Sequence, residues 1–422
     1  MKVELAYGNG HLSVDFPEDR TTVIEPLSVP GLKDERAAVA AALEQPVAAP
    51  ALRQCIRPSD RVTIVFTDIT RATPNQRIIP WLLEYLDGIV PRDNITLLNA
   101  LGTHRPNTRS ELERMLTPAV ATNYRVLNHE SENRGAHVQV GTTRDGTPAL
   151  INRHLAEADA RIITGFIEPH FFAGFSGGPK GIMPGAAHLE TIMSNHGSRN
   201  VSDPNAVFGV TEGNPIWEEM RDIALRVGPS FLLNVALNGQ REISGVFAGD
   251  LIQAHKAGIA FVRKAAMQPV SRLFDIVVTT NSGYPLDLSL YQGVKGMSDG
   301  ARIVKPGGAL ILVAECREGL PANSPMDELL RSVSGPGEFL ALLASPGFCR
   351  PEQWQVQIQA LIQCRARILV HSSIGAEAIR AVHLTPCPDV KAAVDSGLRE
   401  LGDDARVAVL PQGPLTIPYL TT

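Results

Sequence analysis

Short apolar runs alternate with amphipathic segments along most of the chain. The first continuous run is VTIVF at 62–66, bounded by polar residues, which is typical of a buried parallel strand. After Pro74, apolar residues recur at helical spacing and predict a helix. Further strands are predicted at 95–101, 124–127, 161–166, 231–237, 276–280, 309–314 and 367–370. Strands that alternate with helices in this way predict an α/β fold with largely parallel sheets.

The strand series falls into two blocks. Gln268-Pro269 has the composition of a linker between them. We therefore predict an N-terminal α/β domain at 1–267 and a C-terminal α/β domain at 271–422, with the active site in the cleft between them. Residues 1–30 are predicted to form a short β region of the first domain.

Composition excludes several classes of partner. The net charge is -5 and Lys and Arg form no run, so we expect no nucleic-acid partner. No apolar run reaches the roughly 18 residues of a membrane helix, and the first residues lack the pattern of a signal peptide, so we expect no membrane association. The five cysteines are scattered without a CxxC pair, which favours reduced thiols in a cytoplasmic protein.

Polar and charged side chains follow the carboxyl ends of the predicted strands. In open α/β sheets this edge binds ligands, so we expect the side chains to converge on one cleft. They are Asp68, Arg71, His104, His129, His170, Asn281 and Lys295.

The glycine-rich segment IEPHFFAGFSGGPKGIMPG at 167–185 joins a predicted strand to a predicted helix. That arrangement is used for anionic ligands, and Gly177 and Gly178 are candidates for the turn. It departs from an ATP-binding P-loop because Pro179 precedes the lysine and Gly181 replaces the magnesium-binding hydroxyl. A tight turn with a solvated lysine is the alternative. Lys180 is the sole charged residue between Glu168 and His188, which favours an altered pKa or a covalent attachment point.

Three histidines are candidates for chemistry. His104 and His170 each follow an apolar strand, and His196 ends the helix after the glycine-rich segment. A lone histidine is usually structural, but several near one lysine favour acid/base catalysis or metal binding. No spacing matches HExxH or a carboxylate-rich metal site, so any metal would take few ligands from this chain.

Other candidates have plausible structural roles as well. Arg71 and Lys295 could bind a carboxylate or phosphate, although a lone cation is more often on the surface. Asp68 could accept hydrogen bonds from sugar hydroxyls or stabilise a cation. Trp354 suits a core position or a cofactor-stacking face.

Six ordered motifs between about residues 60 and 360 closely resemble the nickel-pincer-nucleotide-dependent lactate racemase family. The motifs are DITR (68–71), GTHRP (102–106), EPHFFAGFSGGPKGIMPG (168–185), SNH (194–196), NSGYPLDLSLYQGVKGM (281–297) and QWQVQ (353–357).

The resemblance implies a nickel-pincer nucleotide, a pyridinium bis-thiocarboxylic acid mononucleotide that carries nickel. It assigns His104 and His170 as the catalytic acid/base pair, Lys180 as the cofactor-attachment lysine and His196 as the nickel ligand. The implied substrate-binding residues are Arg71, Gln292 and Lys295. The implied cofactor contacts are Asp68, Gly177, Gly178 and Trp354.

The activity implied by the resemblance is racemisation of a small 2-hydroxy acid, with lactate as the default, by reversible hydride transfer to the cofactor. Malate, a longer or aromatic 2-hydroxy acid, or a sugar acid is the alternative within the family. A non-catalytic cofactor-binding protein is the alternative from another class. The expected partners are the small-molecule substrate and the proteins that make the cofactor.

Overall fold

Two six-stranded sheets dominate the computed structural model, which describes residues 1–320, 324–345 and 347–421. The strands, in chain order, are β1 (Lys2–Tyr7), β2 (Gly10–Asp15), β3 (Thr21–Val23), β4 (Val62–Thr67), β5 (Ile95–Ala100), β6 (Arg125–Asn128), β7 (His137–Thr142), β8 (Pro148–Asn152), β9 (Ala160–Phe166), β10 (Pro169–His170), β11 (Gly174–Phe175), β12 (Phe231–Leu237), β13 (Ile243–Asp250), β14 (Met267–Val270), β15 (Phe274–Thr280), β16 (Val304–Val313), β17 (Arg367–His371), β18 (Thr385–Pro386), β19 (Val407–Leu410) and β20 (Ile417–Leu420).

Helices connect and cover these strands. They are α1 (Glu35–Glu44), α2 (Leu52–Cys55), α3 (Asn75–Leu86), α4 (Arg109–Leu116), α5 (Pro118–Asn123), α6 (Arg153–Ala156), α7 (Leu189–Asn195), α8 (Ser198–Val201), α9 (Pro215–Arg226), α10 (Gln253–Ala266), α11 (Leu290–Ala301), α12 (Pro325–Arg331), α13 (Pro336–Leu343), α14 (Gln353–Arg365), α15 (Ala376–Ala381) and α16 (Val390–Leu401). Within the described ranges, none of them combines the length and apolarity needed to cross a membrane.

The first sheet has the strand order β13-β12-β9-β4-β5-β6. All of its neighbours are parallel except the β12–β13 pair. The chain proceeds from β4 through β5 to β6 on one side and from β9 to β12 on the other. Strand order therefore reverses between β4 and β9, and the crevice at their carboxyl ends is where such sheets bind ligands.

The second sheet is entirely parallel, with the order β18-β17-β16-β15-β19-β3. Its edge strand β3 comes from the first residues of the chain, which the sequence analysis placed in the N-terminal domain. The β1–β2 hairpin also belongs here, because Leu5 and Phe16 share a buried core with Ile276 and Val407. The boundary near residues 267–271 stays a prediction, but these first strands pack with the second sheet.

The prediction of largely parallel α/β architecture is confirmed. β12 has the predicted bounds, and the other predicted strands lie within a few residues of theirs. The linker predicted at Gln268-Pro269 is wrong, because both residues belong to β14, which pairs with β20. That partner lies about 150 residues away along the chain, and Pro269 is tolerated because the pair forms a separate two-stranded sheet.

Candidate active site

One cavity of about 940 Å³, its open mouth included, lies at the carboxyl ends of β4, β5 and β9. Helices α11 and α14 supply its opposite wall. It is lined by every residue to which the family resemblance assigned a role: Asp68, Arg71, His104, His170, Gly177, Gly178, Lys180, His196, Gln292, Lys295 and Trp354. Side chains from both sheets' connections thus meet around one space, although their individual roles stay predictions.

Asp68 and His104 form a hydrogen-bonded pair at the ends of β4 and β5. His104 Nδ1 lies 2.5 Å from Asp68 Oδ2. Thr70 donates to Asp68 Oδ1 through its hydroxyl at 2.6 Å and its backbone N–H at 2.8 Å. Burial opposes the charge on Asp68, but the His104 ring and its hydrogen bond prevail and hold the carboxyl pKa well below its ordinary value. The aspartate therefore stays ionised and holds a proton on His104 Nδ1, so that Nε2 carries the lone pair when the ring is neutral.

His170 is buried near the start of the glycine-rich segment, at the end of β10. Its Nδ1 accepts a hydrogen bond from the Ala173 N–H at 3.2 Å, so the neutral ring carries its proton on Nε2. Burial, followed by the charge of Lys180, lowers the pKa of His170 well below its ordinary value. The Phe171 and Phe172 rings lie 4.9 and 4.7 Å from the imidazole, centre to centre, and restrict its rotation.

Lys180 is a partly buried amine among other cations. Burial lowers its pKa to about 7, and the charges of Arg71 and Lys295 act in the same direction. Lys295, on α11, has a pKa lowered to about 7 by burial and by Arg71. Glu168 carries the carboxylate that opposes these charges, although burial raises its own pKa. The cavity thus has a surplus of positive groups and suits an anionic ligand.

His196 is the C-cap residue directly after α7, and a hydrogen bond fixes its ring. Nδ1 lies 3.0 Å from the side-chain oxygen of Asn195. The rings of Phe172 and Trp354 each lie 5.0 Å from the imidazole, centre to centre, and both meet it edge-on. Among the residues that the structure describes, no group of three or more His, Cys, Asp or Glu side chains could hold a metal ion. The described residues thus offer a metal in this cavity few ligands, and His196 as the nickel ligand stays a prediction.

Helix α11 positions Gln292 and Lys295 because it packs closely on the second sheet. A Cβ on Gly296 would lie 2.1 Å from the Thr280 carbonyl oxygen, so only glycine permits this approach. Asn281 accepts a hydrogen bond from the Gly296 N–H at 3.0 Å and ties the loop after β15 to the same helix. Asn281 is thus a structural residue and does not line the cavity, contrary to the expectation from its place at a strand end.

His129 is likewise outside the cavity. Its Nε2 donates to the Ala187 carbonyl at 2.9 Å, and its Nδ1 accepts from the Asn152 amide at 3.2 Å. Both ring nitrogens are engaged, so the expectation that His129 joins the site is wrong. It follows β6, the edge strand farthest from the β4–β9 crevice on that side of the sheet.

The turn at Gly177 and Gly178 is held by protein contacts. A Cβ on Gly177 would lie 2.4 Å from Asn234 Oδ1, and one on Gly178 would lie 2.3 Å from the His255 ring. The Gly178 N–H donates to Asn234 Oδ1 at 2.8 Å. These glycines bring the backbone close to the cavity, but the Gly178 N–H is not free to bind a phosphate.

Two cavity residues, Tyr291 and Gln355, were not assigned from the sequence. The Trp354 indole N–H donates to the Tyr291 hydroxyl at 3.1 Å, and the Tyr291 ring meets His104 edge-on at 6.1 Å. The Gln355 amide N–H donates to the Tyr291 carbonyl, which fixes the side chain. Tyr291 lies within the motif at 281–297 and Gln355 within the motif at 353–357, but the resemblance to the family assigned neither residue a role.

Comparison with known proteins agrees with this geometry. Residues 7–209 match the model of the lactate racemase N-terminal domain, and residues 270–417 match that of the lactate racemase C-terminal domain. The lactate racemase of Thermoanaerobacterium thermosaccharolyticum is 33% identical over 417 residues, 97% of each chain. The chain belongs to the lactate racemase family. The resemblance predicted from the motifs is therefore confirmed.

Other members and structures extend this relationship. The lactate racemase of Lactiplantibacillus plantarum is 35% identical over 382 residues, 90% of each chain. The solved lactate racemase apoprotein from T. thermosaccharolyticum superposes with a TM-score of 0.91 at 32% identity, covering 99% of this chain and 100% of that one. A Thermotoga maritima protein superposes with a TM-score of 0.73 at 20% identity, covering 94% of this chain and 100% of that one, and shares the fold.

Proposed function

We propose that this member of the lactate racemase family interconverts the enantiomers of a small 2-hydroxy acid, with lactate as the default substrate. The observation that carries the proposal is the Asp68–His104 pair facing the same cavity as His170 and the cations Arg71 and Lys295. The relatives named lactate racemase, which align over most of this chain, support the choice of substrate.

The cavity fits the nickel-pincer nucleotide that the family implies. Four buried polar atoms on its walls lack hydrogen-bond partners among the described residues: Thr67 Oγ1, Arg71 Nη1, Gln292 Oε1 and Gln355 Oε1. Such unpaired atoms are costly in a folded protein unless a ligand satisfies them. When bound, this cofactor supplies a centre that takes a hydride from the substrate carbon and returns it.

Specific side chains would hold that cofactor. Lys180, whose pKa is lowered to about 7, has a large neutral fraction near pH 7 and can form a covalent bond to it. His196 is protonated on Nδ1 and would offer its Nε2 lone pair to nickel. Trp354 packs beside His196 and would form a wall of the site. Because the cofactor must be made elsewhere, we propose that cofactor-synthesising proteins are partners of this chain, and that both act in the cytoplasm.

Arg71 and Lys295 would bind the substrate carboxylate. A guanidinium binds a carboxylate in bidentate geometry, and the unpaired Arg71 Nη1 is free for such a contact among the described residues. The incoming negative charge also offsets the repulsion between these cations, which favours protonated Lys295. The Gln292 amide adds a neutral contact that orients the bound acid.

His104 would remove the hydroxyl proton. Its Nε2 accepts the proton while Nδ1–H remains bonded to Asp68, whose charge stabilises the imidazolium that forms. His170 carries its proton on Nε2 and would donate a hydrogen bond to the oxygen when the flat keto acid presents its other face. It would act as the proton donor only as an imidazolium, after taking up the proton that His104 releases. Each such proton transfer contributes roughly 10²–10⁴ to the rate. Turnover in the opposite direction requires the two rings to exchange roles.

A second cavity, of about 1350 Å³ with its open part included, favours the alternative of a longer substrate in the same family. It shares Asp68, His104, Tyr291 and Gln292 with the main cavity. Thr70, Arg105, Ser289 and Glu352 are among its other lining residues. A side chain longer than the methyl group of lactate could extend into this space. A non-catalytic cofactor carrier is disfavoured, because storing a cofactor does not require a histidine that is hydrogen-bonded to an aspartate.

Chiral chromatography tests the proposal with cofactor-loaded protein and a panel of lactate, malate and longer 2-hydroxy acids. We expect racemisation of at least one acid, and a loss of roughly 10²-fold or more in His104→Ala and in His170→Ala. His11→Ala, at an exposed position, is the matched control and should keep full activity. If no acid is racemised by loaded protein, or if both cavity variants match the control, the proposal fails.

A further inference from the structure

A buried chain of hydrogen bonds runs from His196 away from the cavity. His196 Nδ1 meets the side-chain oxygen of Asn195 at 3.0 Å, and the Asn195 amide nitrogen donates to Glu219 Oε2 at 2.8 Å. The other oxygen of Glu219 accepts the backbone N–H of Arg144 at 2.6 Å. Asn195, His196 and Glu219 are all buried, so water does not compete for these bonds.

The surroundings determine the orientation of the Asn195 amide. Its nitrogen has two acceptors, Glu219 Oε2 and the Ile216 carbonyl at 3.1 Å, and thus both amide protons are used. The amide oxygen must then face His196, where it can only accept. His196 Nδ1 must therefore carry the proton, and Nε2 is the nitrogen left with a lone pair.

Glu219 secures this arrangement because it accepts on both oxygens. It lies on α9, a helix that also contacts the segment after His170: its N-cap residue Asn214 donates to the Phe172 carbonyl at 2.9 Å. The same helix thus supports both the His170 segment and the His196 ring. Glu219 lies outside the six sequence motifs that contain the site residues.

We infer that Asn195 and Glu219 are positioning residues that hold His196 as the Nδ1–H tautomer, with Nε2 ready to ligate nickel. The tautomer assignment rests on the hydrogen bonds alone, whereas its use for nickel rests on the proposed function. Metal-ligating histidines generally donate their second N–H to a partner of this kind, and loss of the partner typically weakens metal affinity by roughly 10- to 100-fold.

Glu219→Gln is the sharpest probe because it keeps the shape and removes one acceptor. If the new amide oxygen still accepts from the Arg144 N–H, its NH₂ group faces the Asn195 amide. We expect Asn195 to turn its oxygen toward residue 219 and its nitrogen toward His196, at the loss of its hydrogen bond to the Ile216 carbonyl. His196 Nδ1 becomes an acceptor, and the ring proton moves to Nε2. Glu218→Gln is the matched control: Glu218 lies on the same helix and accepts from the Gly213 N–H and the Arg144 side chain instead.

Nitrogen-15 NMR of the histidine rings in cofactor-free protein measures the tautomer directly, with His196→Gln used to assign the signals. We expect Nδ1–H in the wild type and in Glu218→Gln, and Nε2–H in Glu219→Gln. A wild-type ring protonated on Nε2, or an unchanged tautomer in Glu219→Gln, overturns the inference.

Nickel release from cofactor-loaded protein to a chelator tests the second step. We expect Glu219→Gln to lose nickel roughly 10- to 100-fold faster than the wild type and Glu218→Gln to match the wild type. Glu219→Gln could change the tautomer without changing nickel release. In that case Asn195 and Glu219 do set the tautomer of His196, but the proposed function is wrong to assign His196 as the nickel ligand.

Discussion

The contacts of Asp68 differ from those that the sequence analysis expected. The sequence suggested a contact to a sugar hydroxyl or a cation, yet its carboxylate is occupied by His104 and Thr70. We therefore propose that Asp68 positions the histidine, while the cofactor contact implied by the family resemblance stays a prediction. The pair resembles the aspartate and histidine of a catalytic triad, in which the acid fixes the tautomer of the base.

Asp68→Asn should lower kcat by roughly 10²–10⁴ because an amide can no longer require a proton on His104 Nδ1. The measurement is racemisation by cofactor-loaded protein, with circular dichroism to check the fold. Thr70→Val, which removes one hydrogen bond to the same carboxylate, should have a much smaller effect. Equal activities for Asp68→Asn and the wild type would contradict the pairing.

Lys180 should react with acylating reagents at a lower pH than surface lysines. Its pKa is lowered to about 7, so the reactive neutral amine appears as the pH rises through that value. Lys391 is a built-in control, since its hydrogen bond to Asp395 raises its pKa. Mass spectrometry of cofactor-free protein labelled between pH 6 and pH 9 gives both modification rates. A common pH dependence for the two sites would show that the Lys180 environment is ordinary.

At the residue scale, the motifs located the cavity side chains but not their hydrogen-bond partners. His104 lies 36 residues after Asp68, and their contact follows from the pairing of β4 with β5. Glu219 lies 24 residues after Asn195, on a helix that the sequence analysis did not predict. The adjacency of strands can be inferred from alternating β and α segments, whereas contacts between helices far apart in sequence cannot.

At the element scale, buried parallel strands were predicted well because both of their faces are covered. Continuous apolar runs such as VTIVF leave few alternatives. The β7–β8 hairpin was missed because β7 is mostly partly buried and mixes polar with apolar types, while the apolar run of β8, although buried, is short. β14 was also missed, and its partner β20 lies at the other end of the second block.

Gly296→Ala tests the close packing of α11. In an exposed helix this change would stabilise by up to about 1 kcal/mol. Here the new Cβ would meet the Thr280 carbonyl oxygen at 2.1 Å, so we expect a loss of roughly 1–3 kcal/mol in unfolding free energy and weaker substrate binding through Lys295. Gly293→Ala on the same helix meets methyl groups of Leu312 at 3.0 Å and Leu290 at 3.8 Å but no backbone atom, and is the matched control. Urea unfolding and KM give the two readouts, and equal stability of the two variants would refute the tight contact.

At the scale of the whole molecule, side-chain contacts join the two sheets' helices around the cavity. The Gln357 amide on α14 donates to the Ser198 carbonyl at 3.0 Å and to the Ser202 hydroxyl at 2.7 Å, just after His196. Arg105 reaches Glu318 at 3.3 Å near the second cavity. The wall that carries Trp354 is thereby tied to the wall that carries His196.

Acid should destabilise the whole fold through buried histidines. Burial lowers the pKa of His129 and of His255 to about 4, against roughly 6.5 in an unfolded chain. Between these values the unfolded state binds more protons, so the free energy of unfolding falls as the pH drops from 6.5 toward 4, by up to about 3 kcal/mol for each ring. Urea unfolding of cofactor-free protein across this range measures the slope. His255→Gln keeps a donor for the Ser176 carbonyl and should show a shallower slope than the wild type. Identical slopes would exclude His255 as a source of the acid sensitivity.

The short strand β3 has a consequence for dissecting this protein. Thr21–Val23 pairs with β19 and covers its outer backbone groups. The C-terminal family domain matched at 270–417 therefore does not contain the edge strand β3 of its own sheet. A fragment confined to those residues would expose a row of unpaired amides and carbonyls, which is a template for self-association. A circular permutant that joins residue 421 to residue 1 through a linker and opens the chain after β3 would instead keep that strand with its sheet.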